Sequence, residues 1–287
     1  MRNLKGRWVE WMAVAGCVAF GLAILFPAAG LARNWGKAEV CMANLHILGQ
    51  AWLAYAEDFD GRLVGGSNYT GTPYRWVERP LYSPTDNPEK NPVPPNNEIT
   101  LEYGLNGIRA GKLYPYIQDT RAYHCPADPY SVRRASKYVE YRIYVISGLM
   151  NGEDYTGRSG DTITGYRIAT FPGGVRKPLI NAQRMSQIHK PAERYVFLEV
   201  DGVLHAQTYS MGSFVLMAGG DSNSWWDWPA YFHPDRGVLG FADGHVGWRV
   251  WTDPRTIDLL RTGNPANVQP NNPDLQWMVQ GYMPNEP

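Results

Sequence analysis

His233 is followed by nine residues and then by Asp243-Gly244, with His245 next in the chain. An imidazole near a tight turn can orient a hairpin by hydrogen-bonding backbone close to Asp243, because buried polar groups need partners. That structural role is the reading given to His233, Asp243 and Gly244. Glu199 and Asp201, added to Asp243, His233 and His245, would give a cation site whose oxygen ligands suit calcium. The dense Asp/Asn loop of such a site is missing, so no cofactor and no metal is expected, with calcium as the alternative. His124, His233 and His245 are the raw material for a metal hydrolase. No H-E-x-x-H, paired-cysteine or other close ligand spacing supports one, and there is no convincing G-x-S-x-G or Walker motif. The expectation is a protein without catalytic residues, not an enzyme.

Of three cysteines, Cys17 lies inside an apolar N-terminal stretch, which leaves Cys41 and Cys125 as the pair that could cross-link. The alternative is two buried free thiols, since cysteine is often fully buried. Trp225-Trp-Asp-Trp228, with Tyr231 and Phe232, is an aromatic cluster that either stacks on a sugar or folds onto its own domain; the second reading is preferred. Lys+Arg and Asp+Glu balance at 27 each, so the basic excess that supplies most nucleic-acid affinity is absent and no nucleic-acid partner is expected. Apolar residues at 44% against 19% charged describe a folding chain, not a disordered one. With 30 Gly, 22 Pro, 18 Tyr and 11 Trp, the composition fits a loop-rich, β-containing extracellular module.

These residues need elements to position them. No charge occurs from Trp11 to Ala32, a run matching the roughly 20 apolar residues that cross a bilayer. Arg2, Lys5 and Arg7 precede it and favour a cytoplasmic N-terminus. A cleavable secretory signal ending near Ala28-Ala29-Gly30-Leu31-Ala32 is the rival. Residues 34–58 continue with helical period: Cys41, Leu45, Leu48, Trp52 and Tyr55 form one stripe, read as core, with Asp58, Asp60 and Gly61 as stop signals. Residues 62–110 read as irregular. Strand content appears at 137–150, 164–170 and 195–200, and a hairpin at 237–251 turns on Asp243-Gly244. The tail from Asn264 reads as surface-bound. The expected fold is α+β, a long N-terminal hydrophobic helix packed on a mostly antiparallel sheet. Its parts are 1–33, a signal-like segment and transmembrane helix, and 34–287, a globular domain with insertions near 62–110 and 203–232.

Lys5-Gly6, Glu10 and the apolar run with Pro27, 17 residues after Glu10, resemble the class III signal of type IV pilins and type II secretion pseudopilins. Four further segments extend the resemblance in order along the chain. They are Cys41-x-x-Asn44-Leu45, the Lys112–Gln118 segment with Tyr123-His-Cys-Pro-Ala-Asp-Pro129, the H-x9-DG signature at His233 and Asp243-Gly244, and Trp251-Thr-Asp-Pro-Arg-Thr256.

The resemblance implies cleavage between Gly6 and Arg7. Glu10 would then meet the free amine of a neighbouring subunit, and Pro27 would sit within the assembly helix. It further implies a non-catalytic pilin or pseudopilin-like subunit, with other pilin-like subunits, inner-membrane assembly machinery and the membrane as partners. Such a protein would pass once through a bacterial inner membrane, its head in the periplasm or on the surface as a filament. That topology would place Cys41 and Cys125 where a disulfide persists. The alternative is a membrane-tethered, extracytoplasmic binding protein, glycan-binding through the aromatic cluster, that does not polymerise.

Overall fold

The computed structural model describes residues 4–67, 74–94, 99–129, 141–152, 168–171, 175–178, 180–201, 213–216, 224–233, 235–263 and 268–284. Helix α1, Leu4–Asp58, is 55 residues long, about 82 Å at 1.5 Å per residue. It runs without a break across the expected boundary at residues 33–34. Its end follows from the chain: Asp60 (φ 55°) and Gly61 (φ 77°) turn left-handed, and the Gly61 N–H donates to the Ala56 carbonyl.

The predicted stripe is the buried face of α1. Cys41, Leu45 and Leu48 are fully buried, and Trp52, Tyr55 and Ala56 nearly so. They lie on a five-stranded sheet built from β1 (Tyr144–Ser147), β4 (Tyr195–Glu199), β5 (Ser213–Phe214), β6 (Arg236–Phe241) and β7 (Val246–Val250), in the order β5-β1-β4-β6-β7. β2 (Ile168–Phe171) and β3 (Val175–Pro178) form a separate antiparallel pair.

Alternation along the strands gives the sheet two buried faces. Tyr144, Ile146, Phe197 and Val238 point into the core shared with α1. Val145, Leu198, Leu239 and Phe241 point the other way, into a second core closed by α4 (Pro254–Thr262) and α5 (Pro273–Tyr282). The result is a three-layer α/sheet/α arrangement, and each fully buried large side chain in it stabilises by about 1.5–3 kcal/mol.

The fold is α+β and its sheet is mixed but mostly antiparallel: β5 pairs with β1 in parallel, while the other three pairings are antiparallel. Other expectations are corrected here. Among the described residues, no helix is long and apolar enough to cross a membrane. The expected hydrophobic N-terminal helix, the transmembrane segment and the single-pass inner-membrane location are therefore overturned. From Ala38 to Ala56 the apolar stripe of α1 faces the protein's own core, and Asn44, His46 and Gln50 keep the hydropathy of that stretch low.

The stretch 62–110, expected to be irregular, contains α2 (Leu101–Ala110), whose Thr100 side chain caps the Tyr103 N–H. The tail, expected on the surface, contains α5, where Leu275, Met278, Val279 and Tyr282 are buried. Asn272 caps α5 by accepting from the Asp274 and Leu275 N–H groups, and Pro273 supplies the first helical φ. A four-residue helix, α3 (Tyr114–Ile117), and the 3-10 turn Thr120–Tyr123 lead the chain to Cys125.

Candidate functional site

Four residues far apart in the chain meet between α1 and the sheet. α1 presents Cys41 inward. Cys125 follows the 3-10 turn that stacks Tyr123 on Trp76. Glu199 closes β4 opposite Tyr144 of β1, and His233 stands just before β6, bridged to Arg236. Cys41 and Cys125 are joined by a disulfide with their Cα atoms 5.3 Å apart. In the chain-entropy account, a cross-link over 84 residues stabilises by about 4–5 kcal/mol. The Asn44 side chain ties the same two segments together by donating to the His124 carbonyl at 3.0 Å.

His233 Nε2 lies 3.5 Å from Cys125 Sγ and 3.4 Å from Glu199 Oε1. Both side chains are 2% exposed, so this imidazole and carboxylate face each other away from water. Among the described residues neither carboxylate oxygen of Glu199 accepts a hydrogen bond. The Tyr144 phenol is pushed well above its ordinary pKa, by burial first and by the Glu199 carboxylate second, against a hydrogen bond with Asn44. The ligand atoms of Cys41, Cys125, Glu199 and His233 all lie within 4.8 Å of one another.

The structure divides the H-x9-DG signature between the two ends of β6. His233 sits in the buried cluster, whereas Asp243-Gly244 forms the tip of the β6–β7 hairpin, so the nine intervening residues span the strand. The expected hydrogen bond from His233 to backbone near Asp243 is replaced by the contacts above. Gly244 takes φ 90°, which a side chain would strain, and its carbonyl accepts from His46 Nδ1–H at 3.2 Å in the tautomer that carries that proton. A Cβ at Gly244 would meet Gln50 Nε2 and Leu53 Cδ1, both at 2.9 Å, so the tip is seated on α1. Asp243 is exposed at the hairpin tip; partial desolvation raises its pKa, but hydrogen bonds from the His245 N–H and with the His245 ring at 2.6 Å outweigh this and hold it below the ordinary value.

The calcium set is thereby split, with Glu199 and His233 buried at one end of β6 and Asp243 with His245 at the other. His124 pairs with Asp128 at 2.9 Å. Among the described residues, the one converging group of possible metal ligands leaves out both His124 and His245. The aromatic cluster folds inward: Trp225 and Trp228 join the second core, with Trp225 Nε1 donating to Gln269, and Trp226 alone of the three is exposed. Gly6, Arg7, Glu10 and Pro27 lie on the backbone of α1, and their side chains fall outside the described residues. What the sequence reading missed is the meeting of Glu199 and His233 with both cysteines. Its one signal was a carboxylate in the apolar run Tyr195-Val-Phe-Leu-Glu-Val200.

No family model matches the chain, and no curated protein or solved structure matches it either.

Proposed function

We propose that the chain is a non-catalytic, pilin- or pseudopilin-like subunit that assembles with other copies through the first half of α1. The observation that supports this is a helix surface left exposed among the described residues. Trp11, Met12, Val14, Val18 and Phe20 are each 55–71% exposed, whereas the apolar stripe from Ala38 onward is buried by the head. A contiguous exposed apolar surface is a site of association, and parallel packing of such helices from several subunits would remove it from water. The ordered motif resemblance, from Lys5-Gly6 to Trp251-Thr-Asp-Pro-Arg-Thr256, points the same way.

The experiment is sedimentation velocity and negative-stain microscopy on the full chain. Filaments or large assemblies are expected, and the pair Val14→Asp with Val18→Asp, one turn apart on one face, should leave monomers with an unchanged head. A full chain that stays monomeric at every concentration tested would sink the reading.

A further inference from the structure

We propose that Cys41, Cys125, Glu199 and His233 form a redox-gated zinc site: a disulfide when oxidised, and a four-coordinate Zn(II) centre when the cysteines are reduced. The donor set is two thiolates, an imidazole and a carboxylate, which suits zinc and gives calcium only one oxygen-bearing side chain. The spacing fits. In a tetrahedron with ordinary zinc–ligand lengths, the sulfur–nitrogen edge is about 3.5 Å and the nitrogen–oxygen edge about 3.4 Å. Cys125 Sγ to His233 Nε2 is 3.5 Å, and His233 Nε2 to Glu199 Oε1 is 3.4 Å. The sulfurs must part to about 3.8 Å, a change within reach of side-chain rotation once the bond is broken.

The treatment of buried carboxylates argues that Glu199 is kept for a cation. Asp274 is fully buried and accepts from the Thr252 and Asp253 N–H groups, the Thr252 hydroxyl and Arg249. Glu199 is as deeply buried, yet among the described residues both its oxygens lack a hydrogen bond; the His233 nitrogen lies 3.4 Å from Oε1, and the Tyr144 phenol is a further polar neighbour. A buried charge left so poorly compensated is costly. A zinc ion bound by Glu199, His233 and two thiolates gives a net charge of −1, as in a Cys3His site.

The chemistry balances. A dithiol reductant gives two electrons and two protons to the Cys41–Cys125 disulfide; the S–S bond breaks, two thiols form, and the reductant becomes a disulfide. Zinc then displaces both thiol protons to solvent. In reoxidation a small-molecule disulfide takes two electrons from the thiolates and two protons from solvent and becomes two thiols; the Cys41–Cys125 bond re-forms and zinc is released, since a disulfide offers no thiolate. The site stands whether or not the chain polymerises.

The test is a cobalt(II) titration of the full chain, reduced by a dithiol and desalted without oxygen, followed by zinc competition. One cobalt per chain is expected, with a thiolate-to-cobalt charge-transfer band and intense tetrahedral d–d bands that one equivalent of zinc abolishes. The oxidised chain should show neither. Glu199→Gln and His233→Ala should each weaken binding by about 100-fold or more. Three results would overturn the proposal: weak octahedral cobalt bands from a reduced chain that keeps its near-UV circular dichroism, tetrahedral bands unchanged in both variants, or a reduced chain that unfolds and is not restored by zinc.

Discussion

At the scale of single residues, side chains at element ends carry effects that can be measured one at a time. Asp253 caps α4 by accepting from the Arg255 N–H, and its carboxylate also takes the Arg255 guanidinium at 2.7 Å. The guanidinium hydrogen bonds, against burial, hold Asp253 below the ordinary aspartate pKa. A depressed folded-state pKa means the stabilisation is complete above the unfolded value, near 4, and is lost as pH falls through the folded one. Asp253→Ala should therefore cost about 1 kcal/mol at pH 7 in urea unfolding, and the difference from the parent should shrink towards pH 2. A gap independent of pH would remove the carboxylate from the explanation. Glu199 and His233 were each visible in the sequence as candidates, but their partners were not. Residues 41, 125, 199 and 233 meet only because α1, a turn and two places in the sheet converge, and no local spacing encodes that.

At the scale of elements, legibility followed local periodicity. α1 from residue 34 to 58 could be read because Cys41, Leu45, Leu48, Trp52 and Tyr55 repeat at helical spacing, and β6–β7 because Asp243-Gly244 marks its turn. α5 was hidden by the Pro- and Asn-rich composition around it, although Asn272-Pro273 is a helix start and Leu275, Met278, Val279 and Tyr282 share one face. α2 was hidden by Gly104 and Gly107, poor helix formers whose reason is tertiary. A Cβ at Gly107 would stand 2.6 Å from the Arg79 carbonyl oxygen and 2.7 Å from that of Glu78, so the helix lies directly on backbone. Gly107→Ala, favourable by propensity, should instead destabilise by about 1–3 kcal/mol. An increase in the thermal midpoint would show that the two segments can separate without loss.

At the scale of the molecule, α1 is one helix with two environments. The described contacts of its second half with the head run from Trp35, set edge-on to Trp248 with Arg236 over both rings, to Tyr55. Removing residues 1–33 should leave the head's thermal midpoint within about 2 °C of the full chain under conditions where neither associates. A fall of more than about 5 °C would mean that the first half also stabilises the head.

The Cys41–Cys125 bond has a mechanical consequence. Tension along α1 that reaches Cys41 crosses directly to Cys125, so the 84-residue separation between them adds nothing to the extensible chain. Stretching the oxidised molecule between its termini in an optical trap should release about 290 Å less contour length than stretching the reduced one. The part that contains α2, Trp76 and the inner face of α1 would then stay slack under load, while the strands beyond it yield.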